Sequence, residues 1–452
     1  NPAARLVQTE DGGKTHSPDL LAYQADWENE RRWLTFDLLT GRLPRDGPMH
    51  SYLRAAGIAE RELEDFAEHP CPPDVLGMNY YVTSERLLDP RLENYPPRCH
   101  GGNHRQAYAD VPAVRARAEG ILGCRGILRE LWERYRMPVA VTETQLACTR
   151  EEQLRWLRET WEAARQLRAE GADVRAVTAW ALLGACDWNT LLRERNGQYE
   201  SGAFDVRGAA PRPTAVAHAI AALAGGGRIH HPATHGPGWW RRRVRLEFAE
   251  TSAPRTGAAV EEPGGGGEPA RPLLVLQADD GLRAALDALC HLRGLRPVFA
   301  AGPAESAGAF PAGARPWAVI VNAERGPWLA GRGISPFPRV RLPAADRLAP
   351  LPTAELARGA VRLHGVSVDT RGLGRMMADG LRQAGRVASS FRWRREGSPA
   401  GPGFGELTRL FALLDAVMDL LVDAAAAPEE PGDGPCLAAA APGIEAEPLL
   451  VP

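Results

Sequence analysis

PVAVTET, residues 138–144, is a short apolar run that closes on a carboxylate. Val139 and Val141 are β-branched, and the run is too short for a helix, so it reads as a buried strand. Glu143 then arrives where that strand leaves the core. Working outward, Arg5–Thr9 (RLVQT), Val75–Tyr81 (VLGMNYY) and Val174–Leu183 (VRAVTAWALL) read as strands of the same kind, with Val139–Thr142 as the third in order. Helical patterns separate them. The clearest is TREEQLRWLRETWEAARQLRAEG, 149–171, with Thr149 as its cap, Glu152 completing a capping box and Gly171 closing it. Its Leu154, Trp156, Leu157 and Trp161 recur at helical spacing. Strands alternating with helices imply βα units and a parallel sheet.

Polar and aromatic residues gather at the ends of these strands. Asn79, Tyr80 and Tyr81 end one, Glu143 ends the next, and Trp180 precedes Asp187-Trp188-Asn189 after the last. In a (β/α)8 barrel such ends converge on one face, where the active site lies. Aromatic rings stack on sugar C–H faces, and carboxylates and amides bind hydroxyl pairs. A glutamate at the centre could attack an anomeric carbon. Taken singly, each residue has a plainer reading: Glu143 as a solvated strand end, the tyrosines and Trp180 as packing, Asp187-Trp188 as a turn. Their order argues for a site.

Four segments carry a resemblance. DVLGMNYYVTS resembles the D-F-L-G-I-N-Y-Y-T-S segment of glycoside hydrolase family 1, the β-glucosidase family, and PVAVTET resembles its nucleophile strand P-I-Y-I-T-E-N-G. VTAWALLGACDWN is similar to the last strand, F-V-W-S-L-L-D-N-F-E-W, and FDVRGAAPRPTAVA to the closing V-D-F…R-x-P-K-x-S-A. The resemblance makes Glu143 the catalytic nucleophile and Tyr81 the tyrosine that hydrogen-bonds it. Trp180, Asp187 and Trp188 fall on the pocket for the non-reducing sugar, with Asp187 in place of a glutamate, and Asn79 falls on an amide near the site. Two stretches depart from the pattern: Thr144-Gln145 replaces Asn-Gly, and Gly184-Ala185-Cys186 replaces Asp-Asn-Phe.

A retaining glycosidase needs two carboxylates about 5 Å apart, one as nucleophile and one as acid/base. The family takes the second from T-x-N-E-P after the fourth barrel strand, and N-E-P occurs nowhere here. Asn29-Glu30 is followed by Arg31 in a helical stretch. Glu10 ends the first strand but lacks the preceding Asn, which makes it a poor substitute. The resemblance therefore implies strands five to eight of a barrel, with an N-terminal half barrel as the missing partner. This chain alone is expected not to hydrolyse glycosides. The start, NPAARLVQTED, lacks a Met and a leader-like pattern and enters a strand almost at once, which leads to the same expectation of a piece cut from something longer.

The 452 residues predict more than one domain. Residues 226–268 have linker composition, from GGGRIHHPATHGPGWW to the Gly run before Pro269. That divides the chain into 1–225, the barrel half, and 269–430, with 431–452 an Ala/Pro/Glu-rich tail. In the linker, Trp239 and Trp240 are expected to dock on a domain and Arg241–Arg243 to be solvated. His230, His231 and His235 lack the spacing and the fourth ligand of a metal site.

RPLLVLQ (271–277), DGLRAALDALCHLRG (280–294) and RPVFAA (296–301) read as the opening βαβ unit of a Rossmann-like, doubly wound α/β domain, with WAVIVNA (317–323) as a later strand. The unit resembles the dTDP-4-dehydrorhamnose reductase-like, sugar-nucleotide-binding branch of the short-chain dehydrogenases, and PWAVIVNAE matches its P-W-x-V-V-N-A-A. Its chemistry is degraded. The three glycine positions of the phosphate loop fall on Gln277, Asp280 and Arg283. No Tyr-x-x-x-Lys pair exists, because Tyr199 is the last tyrosine and no lysine follows Lys14. NAD(P) binding is not expected, and no other cofactor or metal is implied.

A net charge of −2 gives no sign of a nucleic-acid partner, and no apolar run reaches the length of a membrane span. Seven scattered cysteines without a CxxC pair point to a reducing cytoplasm. The expected ligand is a small sugar or glycoside. Two other readings stay open: a sugar or sugar-nucleotide binding protein whose halves have both lost catalysis, and a reductase.

Overall fold

A computed structural model describes residues 4–248 apart from 196, 208, 209, 243 and 244. Beyond them it describes 272–276, 278, 280–301, 305, 316–322, 339–342, 355–357, 360–363, 366–369, 414, 415, 417–423, 425 and 426. Four strands form a parallel sheet: β1 (Val7–Asp11), β2 (Val75–Asn79), β3 (Val139–Thr144) and β4 (Val174–Ala179), side by side in chain order. The helices α1 (Gly123–Tyr135) and α2 (Arg150–Ala169) run between successive strands. A helix, α3 (Ala215–Ala224), follows β4, and Thr214 caps it through a bond from the Val216 N–H. A small side sheet of Thr15–His16, Arg86–Asp89, Ala107–Pro112 and His100–Gly102 packs outside.

Leu76, Met78, Val139 and Val141 face the helices and meet Ile127, Leu128, Trp156 and Leu167 in one core. Each fully buried side chain of this size contributes about 1.5–3 kcal/mol. The sheet's outer edges carry no further strand among the described residues. Leu6 and Val7 on the β1 side are about half exposed, as is Leu183 just beyond β4.

β5 (Leu273–Leu276), α4 (Asp280–Arg293), β6 (Pro297–Ala300) and β7 (Ala318–Asn322) follow. With β8 (Arg339–Leu342), β9 (Glu355–Ala357), β10 (Ala360–Leu363) and β11 (Val366–Asp369) they make a seven-stranded sheet of order β6-β5-β7-β8-β11-β10-β9. The first four are parallel and the last three are joined antiparallel. β6 and β7 lie on opposite sides of β5. Gln277 and Asp279 of the degraded loop, residues 249–271 and the tail 431–452 lie outside the described residues.

α2 explains how the two sheets meet. Its Trp156, Ala163 and Leu167 face the first core, while Leu154 and Leu157 join Leu223 of α3, Leu273, Leu286, Ile320 and Met418 in a second. A helix covered on two sides must bury polar positions as well, and Arg150, Glu151, Glu152 and Arg155 are all buried. They are paired: Arg155 with Glu152, Arg293 with Glu151, and Arg150 with Asp423, each at 2.8 Å. This corrects the expected capping box. Thr149 is the N-cap residue, but its hydroxyl donates to Glu151, and Glu152 turns to Arg155, Arg242 and the Trp239 N–H. Charge-assisted bonds have won over a neutral cap.

The described start of the linker segment is packed. Trp240 is buried edge-on to Trp156 at 5.0 Å, and its indole N–H donates to Glu159. The docking of the tryptophans is as expected, but Arg241 and Arg242 are not simply solvated: they pair with Glu159 and Glu152.

Candidate active site

Parallel registration brings the strand ends to one level. Asp11 lies opposite Asn79, Asn79 opposite Glu143, and Thr144 opposite Ala179. A register shift in β3 between Val141 and Thr144 leaves Thr142 and Glu143 half-exposed and Thr144 buried. Below Glu143, the Thr9 hydroxyl lies 2.8 Å from that of Thr142, and both donate to Asn79 Oδ1, at 2.7 and 2.8 Å. Side chains from β1 and β3 can meet over β2 because residue 77 is glycine. A Cβ there would stand 2.6 Å from Thr142 Cγ2.

The two adjacent tyrosines serve different carboxylates. Tyr81 Oη donates to Glu143 Oε2 at 2.7 Å. Burial raises the Tyr81 pKa, and the bond and charge of Glu143 add to the rise, so Tyr81 is a hydrogen-bond donor at any physiological pH. Glu143 Oε1 has no hydrogen-bond partner among the described residues. Tyr80 points inward, stacks on Trp156 at 5.8 Å and donates to the fully buried Glu85 at 2.6 Å. Burial alone would raise Glu85. Bonds from His16, Tyr80 and the Gly123 and Leu122 N–H groups at the start of α1 outweigh it and hold Glu85 below the usual range. Tyr80 is thus core and Tyr81 faces the site.

Trp180 follows β4 with its N–H bonded to Thr144 O at 2.9 Å, and it is 40% exposed. Asp187 sits in the loop beyond, at φ +53°, and its Oδ1 accepts from the Gln198 N–H at 2.9 Å. Trp188 begins a short 3-10 turn and is 49% exposed. The structure brings Glu143, Tyr81 and Asn79 together. It places Trp180 at the adjoining strand end and leaves Asp187 and Trp188 on the loop beyond it. The two departures from the family pattern have local roles. Thr144 and Gln145 line a small cavity behind Trp180 with Trp156 and Ser201, and Ala185–Cys186 pair with Tyr199–Glu200. Gln145 Oε1 and Trp156 Nε1 in that cavity are buried without a hydrogen-bond partner among the described residues.

Glu10 does not point into the site. β1 ends at Asp11, two residues later than the sequence reading, and a strand's side chains alternate. Glu10 shares a face with Gln8, whose amide donates to it at 3.0 Å, and Asp11 shares the face of Thr9. Asp11, Thr9, Thr142 and Ser84 were not singled out by sequence. The signal was there for Asp11: once Thr9 is placed inward, Asp11 follows.

His231 is a packing residue. Its Nδ1 accepts from the Ala233 N–H at 3.1 Å and its Nε2 donates to Val422 O at 3.0 Å. Burial pushes its pKa down to about 4. Among the described residues no group of three or more His, Cys, Asp or Glu side chains could hold a metal ion, and no helix is long and apolar enough to cross a membrane.

No protein-family model matches the chain, and no curated protein matches it. Solved structures do. A family 1 β-glucosidase from Thermotoga maritima is similar at 16% identity and a TM-score of 0.31, over 44% of this chain and 44% of that one. The β-glucosidase from Thermotoga maritima in complex with deoxynojirimycin is similar at 15% identity and a TM-score of 0.32, over 45% of each chain. The same enzyme in complex with noeuromycin aligns at 15% identity and a TM-score of 0.34, over 45% of this chain and 46% of that one. The chain thus spans less than half the length of these enzymes.

Proposed function

We propose that residues 1–225 are strands five to eight of a retaining β-glycosidase barrel of the family 1 type, in which Glu143 attacks the anomeric carbon. The observation that carries this reading is the 2.7 Å bond from Tyr81 Oη to Glu143 Oε2. It fixes one carboxylate oxygen and leaves the other free at a half-exposed strand end. That is what a nucleophile needs: orientation without loss of its reacting lone pairs. Asn79, with Trp180 at the adjoining strand end and Asp187 and Trp188 on the loop beyond it, binds the sugar. The outer sides of β1 and β4, which carry no further strand among the described residues, support a complementing N-terminal half barrel as the partner.

In this reading residues 269–430 are a Rossmann-like, reductase-type domain without NAD(P) chemistry, joined through 226–268, with 431–452 a tail, and the protein works in the cytoplasm. The parallel order β6-β5-β7-β8 supports the doubly wound assignment. A second reading, sugar or sugar-nucleotide binding without turnover, is favoured by the absence of N-E-P from the chain.

The missing acid matters only when the leaving group must be protonated. The chain is therefore expected to leave ordinary β-glycosides intact but to react with a 2,4-dinitrophenyl 2-deoxy-2-fluoro-β-glycoside, whose phenolate departs unaided. Mass spectrometry should find a glycosyl ester on Glu143 and none in Glu143→Gln. Binding of the sugar with no covalent label in the unaltered chain would favour the second reading.

A further inference from the structure

A sugar held on Glu143 must be released by water, and that step needs a group to take the water's proton. We propose that Asp11 is this group, the general base that activates water against a glycosyl ester on Glu143 in the release step alone; protonation of an ordinary leaving group in the first step stays with the missing N-E-P carboxylate. The inference rests on the reading of Glu143 as nucleophile.

Placement comes first. Asp11, Asn79 and Glu143 stand side by side across three parallel strands. At the usual strand spacing their outer two backbones are about 10 Å apart. One step lower, Thr9 and Thr142 bridge the same two strands over Gly77 with a 2.8 Å contact. Asp11 follows Thr9 on the same face with a short side chain, opposite the longer side chain of Glu143. The two carboxylates thus rise from one level of the sheet on either side of Asn79.

The neighbours link the two acids. Asp11 Oδ1 accepts from the Gly13 N–H at 2.8 Å, which fixes the carboxyl group. The Tyr81 N–H donates to Ser84 Oγ at 3.1 Å, and Tyr81 Oη holds Glu143. Asp11, Ser84, Tyr81 and Glu143 also sense one another electrically. Burial raises the Asp11 pKa, the Gly13 N–H and the Ser84 hydroxyl oppose the rise, and the charge of Glu143 adds to it. Asp11 keeps solvent-exposed surface, so water screens part of this effect. A carboxylate whose pKa is raised is the stronger base. A turn-closing aspartate would need only the Gly13 bond; the shared level with Glu143 across the sheet and the charge felt between Asp11, Tyr81 and Glu143 go beyond that.

The step balances. The water oxygen bonds to the anomeric carbon as the carbon–oxygen bond to Glu143 breaks. The electron pair returns to Glu143 as carboxylate, the water proton passes to Asp11, and Asp11 loses it to solvent.

The test uses the full chain labelled with the fluoro-glycoside and freed of excess reagent, then follows loss of the label by mass. In Asp11→Asn, release should slow by about a hundredfold, the ordinary contribution of a general base. Added azide, an anion that needs no base, should restore release and give the glycosyl azide. Glu10→Gln, on the opposite face, should release at the unaltered rate. An unchanged rate in Asp11→Asn overturns the proposal. Slow release that azide does not restore also overturns it, because the loss then lies in the shape of the site. Failure of the unaltered chain to take any label on Glu143 removes the nucleophile reading itself, and the base with it.

Discussion

Glu143 and Glu151 stand on either side of one short loop, the first at the end of β3 and the second at the start of α2. Their surroundings are opposite. Glu143 is half-exposed, takes one bond from Tyr81 and keeps an oxygen free. Glu151 is fully buried: Arg293 Nε meets it at 2.8 Å, Thr149 donates to it, and Arg155 adds charge. Burial would raise Glu151, and these partners outweigh it and hold it below the usual carboxylate range. The contrast separates two uses of a carboxylate. Where the partners leave a lone pair facing solvent, chemistry is open. Where a cation and a hydroxyl hold one oxygen and the other is buried away from water, as Glu151 Oε2 is, the charge is a structural commitment.

The largest effect should come from breaking that commitment. Arg293→Ala leaves Glu151 buried without its main partner and should destabilise the chain by about 3–5 kcal/mol, read from the urea midpoint. Adding Glu151→Leu should recover part of the loss; Asp419, which also pairs with Arg293, keeps the recovery incomplete. A loss below about 1 kcal/mol, typical of a surface pair, would erase the contrast between the two regions.

The same junction should respond to pH through His231. The unfolded chain binds a proton on this histidine near 6.5, the folded chain only near 4. The proton therefore favours unfolding. Stability contributed by the neutral ring is complete above 6.5 and declines between 6.5 and 4, by about 3 kcal/mol for one buried histidine. Asp415, which burial raises to about 6, titrates with the opposite sign in this window. The difference between the unaltered chain and His231→Gln isolates the histidine, and the variant should lose that part of the slope. Parallel pH curves would mean that the ring is not held neutral.

The site was more legible in sequence than the junction, for a physical reason. Strand ends are set by local pattern: apolar runs of period and length fixed by burial place Asn79, Glu143 and Trp180 within a residue or two. β1 runs two residues past the strand that the sequence predicts, which leaves Asp11 outside the predicted strand, and Glu10, one step before Asp11, lies on the other face. The junction has no such pattern. Arg150, Glu151, Glu152 and Arg155 look like the solvated first turn of an amphipathic helix, and their burial depends on Arg293 and Asp423, far away in the chain. The same holds for Arg241 and Arg242, whose partners lie on α2. Tyr80 and Tyr81 are neighbours of one type, and only the packing against Trp156 tells them apart.

Tyr81→Phe should have the smallest effect on stability and so tests the other side of the contrast. The ring remains, only the hydroxyl is lost, and Glu143 can turn to solvent for the missing bond. Stability should change by less than about 1 kcal/mol, because no acceptor is left buried. Reaction with the fluoro-glycoside should still slow by about tenfold, since one charge-assisted bond of about 1.5 kcal/mol no longer aims the carboxylate. Equal losses of stability in Tyr81→Phe and Arg293→Ala would place Glu143 with Glu151 among structural acids. A slower reaction in a chain of unchanged stability is the outcome that a positioned nucleophile requires.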